Sequence, residues 1–169
     1  MMITTDNLIL TPVCEADLDI YSAILGCNEL TKYLPKGEAY TAEEIKLHVR
    51  NRVRHWQHGF GSYAIRLTSD PETKIGYVGV EQCQDPAYSD IRYALLPDYQ
   101  GKGYVFEAAQ AVIRETFKAN KHDKIYGVAL AANFASLAIL KKLGMTQEVN
   151  TRLYGEVEGL ETFALDKSA

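Results

Sequence analysis

The feature that most constrains this chain is the run "DIRYALLPDYQGKGYVFEAAQAVIRETF" (90–117), followed shortly by "KIYGVAL" (124–130). An apolar strand-like segment passes through a glycine-containing turn into an amphipathic helix, and a second strand-like segment follows. Two strands joined through a crossover helix lie parallel in one sheet. In open α/β sheets the ligand crevice forms at the carboxyl ends of such strands, and here that end carries Gly101, Lys102 and Gly103. Glycines on both sides of one residue let the backbone approach a ligand with no Cβ in the way. The first amides of the following helix have no intrahelical acceptor and carry the positive end of its dipole. The junction therefore reads as an anion site fit for a phosphate.

The remaining segments build a mixed sheet around that unit. "NLILTPV" (7–13) alternates apolar and polar residues as a first strand, and "CEADLDIYSAILGC" (14–27) has apolar residues at helical spacing. "TAEEIKLHVRNRVRHWQHG" (41–59) opens with a capping box, Thr41 with Glu44, and stops at Gly59. "SYAIRLT" (62–68), "IGYVGVEQCQ" (75–84) and "DIRYALL" (90–96) read as a three-strand meander with "SDPETK" and "DPAYS" as its turns. The crossover helix spans roughly 103–119, "NFASLAILKKLG" (133–144) is a helix ended by Gly144, and strands near 146–154 and 160–166 close the chain. The expectation is one α/β (α+β) domain over residues 1–169. Its mixed, mostly antiparallel sheet would have seven strands, the fourth and fifth parallel, flanked by about four helices.

Composition narrows the partners. The chain has 169 residues, 47% apolar and 24% charged, as in an ordinary soluble globular protein. A net charge of −4 lacks the basic footprint of a nucleic-acid binder. The one dense basic stretch, "RNRVRHW" (50–56), reads as a solvated helix face. Cys14, Cys27 and Cys83 have no metal-ligand spacing and read as free thiols; the four histidines (48, 55, 58, 122) form no cluster and read as surface residues. No metal is expected. "MMITTDNLIL" has neither a basic flank nor a long apolar run, so the expectation is a cytoplasmic protein without a leader or membrane span.

Three phosphate-binding readings fit "YQGKGYV" unequally. A Walker P-loop needs Ser or Thr after the lysine, which is absent; a dinucleotide fingerprint needs a third glycine where Phe106 stands. The third is a coenzyme A pyrophosphate cradle. On "DIRYALLPDYQGKGYVFEA" and "NFASLAILKKLGM", with "DNLILTPVCEADLDIY", "TKYLP" and "KIGYVGV" in the same order, the chain resembles the GNAT superfamily of N-acetyltransferases. The likeness is strongest to the branch with the ribosomal-protein N-terminal alanine acetyltransferases. Two motifs about 30 residues apart, in the right order, carry the resemblance. The chain departs from the usual pattern at Val105, where a small residue is common, and at Met145, where an aromatic is usual.

The resemblance implies acetyl-CoA as co-substrate and transfer of its acetyl group to a primary amine by direct attack in a ternary complex. It places the pyrophosphate on Gln100, Gly101, Lys102, Gly103, Tyr104 and Val105. The pantetheine arm falls to backbone groups of Leu95 and Leu96 and to Asn133, which also suits a helix N-cap. The amide near Leu95 is the oxyanion candidate. For the base, Asp90 comes first, acting through a bridging water because its side chain is short; Glu81 and then Glu156 follow. The tyrosine that many relatives present on the later helix is Leu140 here, which leaves Ser136 as the hydroxyl for the departing thiolate. Lys141 and Lys142 suit either the helix dipole or the cofactor's 3′-phosphate. Tyr33 and Leu34, with Tyr40, line the expected acceptor side, and Glu156 stands near the final hairpin. The first acceptor choice is a peptide N-terminus or small amine, with polyamine, aminoglycoside or amino sugar behind; the alternative is an acyl-CoA-binding module without activity. A monomer or a homodimer would serve, with neither nucleic acid nor membrane as partner.

Overall fold

The computed structural model describes residues 1–168. Strands β1 (Ile3–Thr4) and β2 (Leu8–Pro12) precede helices α1 (Leu18–Leu25), α2 (Asn28–Thr31) and α3 (Ala42–His55). The meander β3 (Ser62–Leu67), β4 (Asp70–Gln82) and β5 (Ser89–Leu95) leads through the glycine turn into α4 (Tyr104–Lys118). β6 (Lys124–Leu130), α5 (Phe134–Lys142), β7 (Thr146–Gln147) and β8 (Leu160–Asp166) complete it. The sheet order is β1-β2-β3-β4-β5-β6-β8-β7, and β5/β6 is its one parallel pair among the described residues.

The class is the mixed α/β one that the sequence implies, with eight strands and five α-helices among the described residues where seven and about four were expected. β1 adds two residues paired to Ile9 and Leu10, too short to leave a periodic signal. The β3/β4 turn is shorter than "SDPETK" suggests: β4 starts at Asp70, and register shifts around Arg66 absorb the extra length as an irregularity. β7 holds only Thr146 and Gln147, and the chain from 148 to 159 is turns and loop. β8 enters between β6 and β7 and pairs antiparallel with both.

Side-chain alternation gives each sheet face its own core. Ile91 and Leu95 of β5 point, with Val78 and Val80 of β4, to one face, where Ala108, Ala109, Ala111, Val112 and Ile113 of α4 cover them. Small residues on α4 let the helix lie close to the strands, and Val105 packs on the same core. On the other face Tyr77, with Ala94 and Leu96 at its edge, meets Ile20, Tyr21, Ile24 and Leu25 of α1 and Ile45 and Val49 of α3. α3 begins with the expected box: Thr41 Oγ1 accepts from the Glu44 amide at 3.2 Å and Glu44 Oε1 from the Thr41 amide at 2.8 Å. The four histidines read as surface residues are half-buried instead. His55 Nδ1 lies 3.0 Å from the Phe60 carbonyl and its Nε2 accepts from the Gln82 amide at 2.9 Å, so the ring is a neutral cross-tie between α3 and the sheet. No helix among the described residues is long and apolar enough to cross a membrane.

Candidate active site

β5 and β6 share a single register pair, Asp90 with Tyr126. Beyond it β5 runs on to Leu95 and β6 to Leu130, while β6 is paired along its other edge with β8 from Lys124 to Leu130. A wedge therefore opens between the two strands toward their carboxyl ends. Ladder alternation decides which backbone groups face it. Leu95 stands opposite Gly76, and the Leu96 amide donates to the Ile75 carbonyl at 2.8 Å. That bond brackets a non-hydrogen-bonded pair, so the N–H groups of Leu95 and, two residues back, Tyr93 face the wedge.

Leu96 was expected to serve the ligand beside Leu95, and the structure corrects this. Its amide is spent on Ile75, and its carbonyl accepts from the Tyr99 amide at 3.0 Å. Gln100 is also employed by the fold: its Nε2 donates to the Leu95 carbonyl at 3.0 Å and ties the turn back to the strand end.

Gly101 and Gly103 have φ values of +78° and +81°, a backbone region that side chains other than Asn and Asp rarely tolerate. A Cβ built on either would meet nothing within 4 Å. Their need is conformational, and the space above them is open. Gly103 caps α4 without any side-chain bond, which leaves the first amides of that helix exposed at the mouth of the wedge beside Lys102 and Tyr104. The turn is braced from behind, where Glu107 accepts from the Asn7 amide at 2.9 Å and from Asn7 Nδ2 at 2.8 Å.

α5 forms the opposite wall. Asn133 caps it, accepting from the Ser136 amide at 3.2 Å. Ser136 Oγ lies 2.8 Å from the hydroxyl of Tyr93 across the wedge. Burial pushes the Tyr93 hydroxyl up to about 12, so it is protonated at neutral pH. Leu140 is fully buried because Gly127 of β6 leaves it a hole: a Cβ there would stand 2.5 Å from Leu140 Cδ2. The hydroxyl missing at position 140 thus has a counterpart on β5. Lys142 Nζ sits 4.3 Å from the centre of the Phe106 ring and joins the last turn of α5 to the first turn of α4.

The even residues of β5 point to the other face and into a buried network of charges. Glu81, 1% exposed, accepts from Ser62 Oγ at 2.7 Å and from Arg92 Nη1 at 3.3 Å. Arg52 Nε lies 2.6 Å from Glu81 Oε1 at an angle too oblique for a hydrogen bond, and pairs by charge. Arg92 Nε donates to Asp90 Oδ1 at 2.9 Å, and the Tyr154 hydroxyl donates to Asp90 Oδ2. At the far end Arg52 Nη1 donates to His48 Nε2 at 3.1 Å. Burial, then the charges of Arg52 and Arg92, lower His48 to about 4, so its ring is neutral.

Asp90 and Glu81 are therefore brought together through Arg92, on the face that Tyr40 and His48 edge from α3 and the segment before it. Glu156 is not brought in: its side chain is exposed and pairs with Arg152 at 3.5 Å. Tyr33 is exposed and bears Lys32 over its ring at 5.2 Å, whereas Leu34 packs at the margin of the α1–α3 core. Sequence reasoning passed over Arg52, Arg92, Tyr93 and Tyr154. Arg52 had a signal: with Ile45, His48 and Val49 it follows the spacing of the inner face of α3, not of a solvated one. Tyr154 had none, since it lies in a loop.

A family model described as an acetyltransferase (GNAT) domain matches residues 7–146. The uncharacterized N-acetyltransferase YnaD of Bacillus subtilis is 27% identical over 148 residues, 88% of this chain and 84% of that protein. Among solved structures, an acetyltransferase from Agrobacterium tumefaciens superposes with a TM-score of 0.87 at 18% identity, covering 99% of this chain and 95% of that one. The ribosomal-protein α-N-acetyltransferase RimL, in a complex with coenzyme A, superposes with a TM-score of 0.80 at 19% identity, covering 98% of each chain. At those identities the two structures speak for the fold, and the family match speaks for descent: this chain belongs to the GNAT acetyltransferase family.

Proposed function

We propose that this protein transfers an acetyl group from acetyl-CoA to a primary amine, a peptide N-terminus or a small amine, by direct attack within a ternary complex. The observation that carries the reading is the wedge itself. An inward-facing Leu95 amide lies beneath a glycine turn whose own amides are free and whose surroundings are open. Those groups fit a long ligand with a phosphate at one end and amides along its arm. Residues 101–105 hold the pyrophosphate with backbone donors. Asn133 and the wedge-facing amides of β5 align the arm, and acetyl-CoA supplies the activated acyl group.

The residues of the chain then divide the remaining work. The Leu95 amide stabilises charge developing on the carbonyl oxygen, a contribution of roughly 10²–10³ in rate for one well-placed donor. Ser136, backed by the Tyr93 hydroxyl, stands where a departing thiolate needs a proton. Asp90, buried on the opposite face of the sheet, is the final acceptor of the amine's proton, which reaches it indirectly. Release of free thiol from acetyl-CoA, followed over a panel of peptides and small amines, tests the reading. Acceptor-dependent release supports it. Tight coenzyme A binding with no release for any amine, polyamines, aminoglycosides and amino sugars included, would make the chain a binding module.

A further inference from the structure

Asp90 cannot itself touch an acceptor. Its side chain is 1% exposed, Oδ1 is taken by Arg92 Nε, and Oδ2 is taken by the Tyr154 hydroxyl. Arg92 is equally committed, to Asp90, to Glu81 and, at 3.4 Å, to the Gln82 carbonyl. Tyr154 is the most exposed member of this end of the network, at 41% against 29% for the side chain of Arg92, and its hydroxyl reaches Asp90. Its neighbour Leu153 is buried with Cys83, Tyr126 and Ala164 and anchors the loop, while Arg92 Nη2 and Cys83 Sγ approach the hydroxyl oxygen at 3.5 and 3.7 Å. The sequence suggested a bridging water between Asp90 and the amine; a side-chain hydroxyl occupies that place.

We infer that Tyr154 is the catalytic residue that meets the acceptor amine and relays its proton to Asp90. The inference rests on the acetyltransferase reading and names the path by which that reaction loses its proton. As the amine nitrogen bonds to the acyl carbon, its N–H proton passes to the Tyr154 oxygen and the Tyr154 hydroxyl proton passes to Asp90 Oδ2. The C–S bond then breaks with its electron pair on sulfur; the thiolate accepts a hydrogen bond from Ser136 and takes its proton from solvent, and Asp90 gives up the relayed proton to solvent once the product leaves. Charge balances at each end: Asp90 becomes neutral beside Arg92, and Tyr154 ends as it began. Burial and the adjacent Asp90 charge raise the tyrosine well above its ordinary range, so it remains a hydroxyl and does not compete with Asp90 as the final acceptor.

The test compares Tyr154→Phe, Asp90→Asn and the double variant in the thiol-release assay. Each single change is expected to lower kcat roughly 10–10³-fold, the range of a general-base contribution, with the KM for acetyl-CoA unchanged. The double variant should fall no further than the worse single, because both remove one path. Full kcat in Tyr154→Phe, or losses that multiply in the double variant, would overturn the relay while leaving the acetyltransferase reading intact. Wild type inert toward every acceptor would overturn that reading and the relay with it. A second readout does not depend on turnover: with ¹³C-labelled tyrosine, the Tyr154 ionisation should drop toward the ordinary range in Asp90→Asn, and its failure to move would show that the two groups are not in contact.

Discussion

The two ends of β5 are built on opposite principles. At the carboxyl end the protein leaves groups unpaired: the Leu95 amide faces an open wedge, and a Cβ on Gly101 or Gly103 would meet nothing within 4 Å. At the amino end nearly every polar atom is matched, with Ser62, Arg52 and Arg92 on Glu81 and with Arg92 and Tyr154 on Asp90. An unpaired backbone donor costs little where water reaches it, and it suits a ligand whose phosphates never change. A buried carboxylate left unmatched costs several kcal/mol, so this face is closed by its own charges. The contrast makes a joint claim: the amino end holds stability, the carboxyl end holds cofactor affinity, and each should be alterable alone.

The sharpest attempt to break that claim is Glu81→Ala, which strands Arg52 and Arg92 without their shared acceptor. It should lower unfolding stability by about 3–5 kcal/mol in a denaturant titration while leaving coenzyme A affinity unchanged. Unaltered stability would mean that the network is held by its surroundings rather than by its charges. The mirror experiment is Gly103→Asp. A carboxylate placed against a pyrophosphate should weaken coenzyme A binding about 10²–10³-fold in calorimetry, from a repulsion on the order of 3–4 kcal/mol, with unfolding stability lowered by only about 1–2 kcal/mol, the strain of a side chain at positive φ. Undiminished affinity would remove the phosphate from this turn.

A pH experiment probes the amino end alone. His48 is held near 4 against an ordinary 6.5, so between those values the unfolded chain takes up a proton that the folded one refuses. Stability present above pH 6.5 is therefore lost as the pH falls and levels off near pH 4, by up to about 3 kcal/mol. In His48→Gln that part of the slope should vanish; an identical slope would assign the acid loss to other groups. The smallest effect tests the seam between the regions. Val105 packs on the α4 core although it stands in the cradle motif, so Val105→Ala should cost about 1 kcal/mol of stability and leave coenzyme A affinity unchanged. Tighter binding at no cost in stability would show that valine crowds the phosphates.

How far the sequence could be read follows the same division. The turn, the crossover helix and the Asn133 cap were legible because glycines at positive φ, capping side chains and helical spacing are local requirements. Asp90 and Glu81 stood out as carboxylates, yet nothing local says that Arg92 bridges them, that Arg52 turns inward from a basic stretch, or that Tyr154 arrives from a loop 64 residues downstream. Glu156 and Tyr154 lie two residues apart, and only the path of that loop sends one to solvent and the other to Asp90.

By itself, the sequence determined the parallel pair and the phosphate-ready turn, because a crossover connection and the dihedrals of glycine admit few alternatives. Tertiary structure alone decided the length of the wedge, since β5 and β6 part after a single register pair while β8 enters between β6 and β7. It also decided the partners of each buried charge. Those choices are contacts between residues distant in sequence, selected by which surfaces must be buried together, and such a sum leaves no periodic trace in any one segment.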